Sequence, residues 1–210
     1  WLAELRTRGR PAEGGSRDWV TYGILYEALA SSAAIRVCQN ELWAASSITA
    51  WHRSVPGLFE IQPVDTPELQ RQALQRLAAL PKYIDIEIAN LRRGLESGYS
   101  APRLTVAPAV NEVRALAGAD SPLLSPGVRA GDPQFAAEVQ ALFETDIAPA
   151  VERFARFLEV EYLPRAREDI GLGFNPDGAA CYPALVRYYA TVEPAASEIH
   201  RLGLEQVAGI

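Results

Sequence analysis

The chain has 210 residues, 49% of them hydrophobic, with a formal charge of -6 and a pI of about 5.1. That suffices for one sizeable core and excludes disorder, while the acidic balance argues against a nucleic-acid partner, because phosphate recognition needs a net basic face. Cys38 and Cys181 are too few for a disulfide framework or a thiolate zinc site but leave room for a single bridge, so the compartment stays open, and no apolar run reaches the length of a membrane span.

In chain order, Trp1–Ser16 reads as a short helix, WLAELRTR, and a Gly/Pro-rich turn. Asp18 then caps a long apolar segment running to about Arg53, whose Trp19, Tyr22, Tyr26, Leu29 and Ala33 fall at steps of three and four; this predicts a largely buried helix. Pro56, Gly57 and Pro63 predict a loop over Ser54–Asp65.

The longest amphipathic run comes next, from Thr66 to Arg103. Leu69, Ala73, Leu77, Leu80, Ile84, Ile88, Leu91 and Leu95 recur at helical spacing, with Asp65 or Thr66 as cap, Pro67 in the first turn, and Gly98 and Pro102 at the end. Pro81 inside it predicts a kink or two helices meeting at Leu80. A shorter helix with Leu104, Val106, Val110, Val113 and Leu116 inward succeeds it, then a connecting loop over Asp120–Asp132. Asp132 opens a second long run to about Arg167 that Pro149 and Pro164 should bend or end. After the bend GLGFNPDG, helices over Ala179–Thr191 and from Pro194 onward complete an all-α fold of roughly seven helices in a single domain spanning 1–210.

Reactive constellations are scarce in this pattern. Neither His52 nor His200 opens HExxH, so no zinc ligands are assigned. No G-x-S-x-G elbow is present, and the glycine bend has neither GKS/GKT after it nor a basic residue within it, as a phosphate loop needs. Glu159 with Glu161, and Glu168 with Asp169, read as a solvated acidic face. The densest chemistry is ACYPALVRYYATVEP, where Tyr182, Tyr188 and Tyr189 surround Arg187; tyrosine and arginine together can grip a peptide carboxylate or backbone, or else form aromatic core contacts.

Five marks in order, LPKYID, GYSAPR, EYLPRAR, the PDG bend with its following Tyr182, and SEIHRLGLEQV, resemble the bacterial family catalogued as domain of unknown function eight-eight-five. The resemblance covers nearly the whole chain. It implies the N-terminal half of a largely helical, zincin-like metallopeptidase with a channel between two lobes, zinc being held by a downstream HExxH helix that lies outside these residues. What carries over is then a non-catalytic lobe with no catalytic residue and no metal ligand. Tyr182, Arg187 and Tyr188 are its candidates for the channel wall, a peptide is the substrate of the longer protein, and a C-terminal lobe is the expected partner. The alternative is a stand-alone helical binding or scaffold domain without catalysis. An exposed apolar face would count against it.

Overall fold

A computed structural model describes residues 1–48 and 50–210. The fold is all-helical: α1 (Leu2–Arg8), α2 (Arg17–Ala34), α3 (Trp51–Glu60), α4 (Pro67–Glu96), α5 (Arg103–Ala115), α6 (Ser125–Arg129), α7 (Pro133–Leu142), α8 (Ala148–Phe157), α9 (Gly178–Ala190) and α10 (Ala196–Ala208). Among the described residues the only extended pairing is a single bridge between Pro102 and Arg167, and no helix is long and apolar enough to cross a membrane. The chain divides into two compact units, unit 1 comprising Trp1–Gln39 with Gly171–Ile210, and unit 2 comprising Asn40–Ile170.

Unit 2 is built around α4. Its cap is Thr66, whose hydroxyl accepts the Leu69 amide, and Pro67 occupies the first turn. Ala73, Leu77, Leu80, Ile84, Ile88, Leu91 and Leu95 are buried along one face, and the helix runs unbroken through Pro81, so one helix forms, not two. Gly98 ends it with φ 83, a conformation that costs glycine nothing.

Two expected loops turn out helical. Trp51–Glu60 forms α3 despite Pro56 and Gly57, because Trp51, His52, Pro56 and Phe59 fall on one face and bury it; the core outweighs the local cost of the proline. Within Asp120–Asp132, a 3-10 turn over Pro122–Leu124 leads into α6, which Leu123, Leu124 and Pro126 anchor in the core, while Arg129 donates to the Phe59 and Gln62 carbonyls at 2.9 and 2.7 Å. In α5, Val106, Val110, Val113 and Leu116 point inward as expected. Leu104 does not: it lies opposite Val113 on the helix and is 74% exposed.

The second long run is continuous from α7 to α8, joined by a π turn over Phe143–Ile147 and extended by another over Leu158–Tyr162. Each π turn precedes a proline by two residues, Pro149 and Pro164. A proline removes one i to i-4 bond and its ring crowds that carbonyl, and widening the ladder to i to i-5 relieves both. The Ala148 amide donates to the Phe143 carbonyl and the Leu163 amide to that of Leu158, the wider pattern in each case. Pro149 is thereby absorbed, whereas after Pro164 the run tightens into a 3-10 turn and ends at Arg165.

In unit 1, Ser16 and not Asp18 caps α2, accepting the Trp19 amide at 3.2 Å. The helix is shorter than expected and half of its residues are exposed, Ser31 being its only buried residue. Its aromatic side is covered by cations: Arg10 lies 3.6 Å from the Trp19 ring centroid and Arg6 5.8 Å from that of Tyr26. The apolar spacing is therefore a true helical signal without being a burial signal.

Candidate functional site

The residues singled out in the sequence all lie on α9, whose placement begins at Gly178. A Cβ there would come within 2.0 Å of the Leu172 carbonyl oxygen, so only glycine lets the helix start this close to the preceding bend. Asp177, just before it, accepts from the Gln39 side chain at 3.0 Å. Three residues on, Cys181 is buried and disulfide-bonded to Cys38, which fastens α9 to the 3-10 turn Ile35–Cys38. The single bridge left open by the cysteine count therefore exists.

Arg187 is held by two carboxylates. Its Nε donates to Glu27 Oε1 at 2.7 Å and its Nη2 to Glu27 Oε2 at 2.8 Å, a fork-on-fork pair reaching α2, while Nη1 lies 2.9 Å from Glu193. The hydrogen bonds with Glu27 raise the guanidinium further above its already high range, and the same contact with Arg187 lowers the Glu27 carboxyl. The Glu27 and Arg187 side chains are each under a third exposed, whereas Glu193 is 68% exposed and only loosely committed. Beside them is a hollow of about 280 Å³ lined by Ala34, Pro183, Ala184, Arg187, Glu193 and Pro194. It suits one side chain or one carboxylate.

Tyr182 and Tyr188 are both partly exposed, and Tyr188 meets Tyr189 edge to face at 5.1 Å. Six residues of helix set Tyr182 and Tyr188 about 120° apart around the axis, so α9 spreads the tyrosines instead of gathering them on Arg187. The arrangement around Arg187 can bind an anion. Glu27 is missed from the sequence because it lies 160 residues from its partner.

Two of the five ordered marks acquire a physical meaning in unit 2. The turn GYSAPR is clasped by EYLPRAR: the Ala101 amide donates to the Tyr162 hydroxyl at 2.8 Å, Arg167 Nε donates to the Ser100 carbonyl at 2.8 Å, and the Arg103 amide to the Arg167 carbonyl at 2.7 Å. Tyr162 is fully buried, and burial pushes its phenol up to about 12. These two motifs serve the fold.

The two histidines lie in different units. His52 lies in α3 of unit 2 and His200 on the exposed α10 of unit 1; His52 Nε2 faces Glu112 Oε2 at 3.1 Å, and no group of three or more His, Cys, Asp or Glu able to hold a metal occurs among the described residues. This donor set does not fit zinc. His52 Nδ1 and Trp51 Nε1 are buried without a partner among the described residues, and burial lowers the His52 imidazole although Glu112 pulls the other way.

The folded imidazole takes up its proton at lower pH than the unfolded one, whose ordinary value is 6.5, so stability is present above that value and lost on acidification. The unfolding free energy from urea titrations should fall between about pH 7 and about pH 5.5, by at most about 1.4 kcal/mol per pH unit from this one proton. His52→Gln should flatten that part of the profile. An unchanged slope in the variant would assign the loss elsewhere.

The model of the family described as bacterial protein of unknown function (DUF885) matches residues 1–210. No curated protein matches the chain.

Proposed function

We propose, for a chain that belongs to the bacterial DUF885 family of unknown function, that it forms the non-catalytic N-terminal helical lobe of a zinc-dependent peptidase. The metal and its general base would come from residues outside this chain, and α9 would form part of the wall of a peptide channel. The observation that carries the reading is the bareness of unit 1. No residue of α10 is buried, and Leu204, Val207, Tyr189, Val192 and Ile24 are all exposed, whereas unit 2 closes a continuous apolar core of its own. Exposed apolar side chains of this kind suit an interaction face. A stand-alone scaffold leaves it unexplained, and a further lobe covers it.

At the channel wall, Arg187 is pre-oriented by Glu27, and a peptide carboxylate would replace Glu193, the more exposed of its two partners. Tyr182 and Tyr188 would flank the bound chain. The buried cystine supports folding in an oxidising compartment.

The test is to express the coding sequence continued past Ile210 and assay zinc content and peptide hydrolysis. The expected product carries zinc and cleaves peptides. In it, Arg187→Gln should raise KM about tenfold, and Glu193→Gln, which frees a guanidinium edge, should lower it. A purely structural ion pair would move both variants in the same direction. A product without stoichiometric zinc, or without hydrolysis, overturns the peptidase reading.

A further inference from the structure

A second site lies wholly within unit 2, on the outer side of the α4–α8 contact. Asp85, Ile88 and Arg92 of α4 face Arg153, Arg156 and Phe157 of α8 across a groove of about 520 Å³, which Val160 and Glu161 of the second π turn close. That volume falls in the range of small-molecule pockets.

The groove is charged at its ends and apolar beneath. At one end Arg153 donates to Asp85 at 2.9 Å; at the other Arg92 holds Glu161 through two hydrogen bonds of 2.8 and 2.6 Å. The floor between is Ile88 and Phe157, both buried, with the Arg92 guanidinium 5.2 Å from the Phe157 ring centroid.

Three arginines against two carboxylates leave the lining at 3 − 2 = +1, in a chain of net charge -6. Both carboxylates are engaged, and the cation left over is Arg156, exposed and without a partner among the described residues. We infer that this groove binds a small carboxylate carrying an apolar body, the carboxylate taken by Arg156 and the body laid against Val160, the exposed apolar side chain of the lining. A cationic ligand would have to break one of the two ion pairs. A bare inorganic anion would leave Val160 uncovered. The inference uses unit 2 alone and does not depend on the peptidase reading.

The experiment is calorimetric titration of the chain with N-acetylphenylalanine, its carboxamide and acetate, with amide chemical-shift mapping of the bound residues. The acid should bind saturably with shifts along α4 and α8. The carboxamide should bind about tenfold more weakly, as loss of one charge-assisted contact implies, and acetate should show no saturable heat. Arg156→Gln should weaken the acid by about the same factor without moving the melting temperature, and Arg17→Gln, which removes an exposed cation from unit 1, should leave it unchanged. No binding of the acid at millimolar concentration, equal affinity for acid and carboxamide, or indifference to Arg156→Gln would each overturn the assignment.

Discussion

Reducing the Cys38–Cys181 bridge is expected to unfold unit 1 while leaving unit 2 standing. The two cysteines are 143 residues apart and join the two sequence stretches from which unit 1 is made. For a free loop of that length, the chain-entropy estimate is about 5 kcal/mol. Because the loop contains unit 2, which is already compact when unit 1 opens, the denatured ensemble is less free than that estimate assumes, and a loss of about 2–4 kcal/mol is the better expectation. Unit 1 has little with which to absorb it: α1 and α10 bury nothing, and α2 buries only Ser31. Limited proteolysis with and without reductant reads the result directly. Reduction should open residues 1–39 and 171–210 to cleavage and leave a resistant fragment near 40–170, and the Cys38→Ala/Cys181→Ala chain should behave the same way without reductant. Equal resistance of both stretches in the reduced chain would show that the bridge is dispensable.

Gly94→Ala is expected to destabilise unit 2 by at least about 3 kcal/mol, although alanine is the better helix former by about 1 kcal/mol. A Cβ at this position would lie 1.8 Å from the Leu42 carbonyl oxygen and 2.7 Å from its carbon, both backbone atoms that no rotamer change can clear. Either α4 or the 3-10 turn Asn40–Leu42 must shift, and with it the buried face from Leu77 to Leu95. Gly57→Ala is the matched control. There the nearest atom is the end of the Glu60 side chain at 3.9 Å, so the propensity gain of about 0.5–1 kcal/mol should appear undiminished. Urea midpoints of the two variants should therefore move in opposite directions. If Gly94→Ala is neutral, the close approach of α4 to Leu42 is not as described.

The contrast between α4 and α3 shows what local sequence can carry. In α4 every signal agrees: a Thr-Pro start, a sustained apolar stripe and a terminal glycine, with Pro81 the one dissent, outvoted by the rest. In α3 the turn chemistry of Pro56 and Gly57 is explicit, whereas the helix exists because Trp51, His52, Pro56 and Phe59 find a core elsewhere in the chain. Leu104 and α2 illustrate the converse, since apolar residues at helical spacing are buried only if something faces them.

Legibility of the site divides in the same way. That α9 carries Tyr182, Arg187 and Tyr188 could be read from neighbouring residues; that Glu27 orients Arg187, and that Cys38 fastens the helix through Cys181, could not, because those partners are distant in sequence. Glu159 and Glu161 read as a solvated face, and they are half-exposed, yet each is paired to an arginine on a different helix, Arg114 on α5 and Arg92 on α4. Nothing local to the acidic residues signals those cations. Arg156 likewise stands out only once its neighbours are seen to be paired.

The division of unit 1 into an early and a late stretch fixes an order of events during synthesis. Domains generally fold as units while the chain emerges, the N-terminal one first. Here the stretch that emerges first, Trp1–Gln39, cannot finish, because α9 and Cys181 do not yet exist; the contiguous segment Asn40–Ile170 can. The inner unit folds ahead of the outer one, and for the whole interval Cys38 is a free thiol whose proper partner is still inside the ribosome.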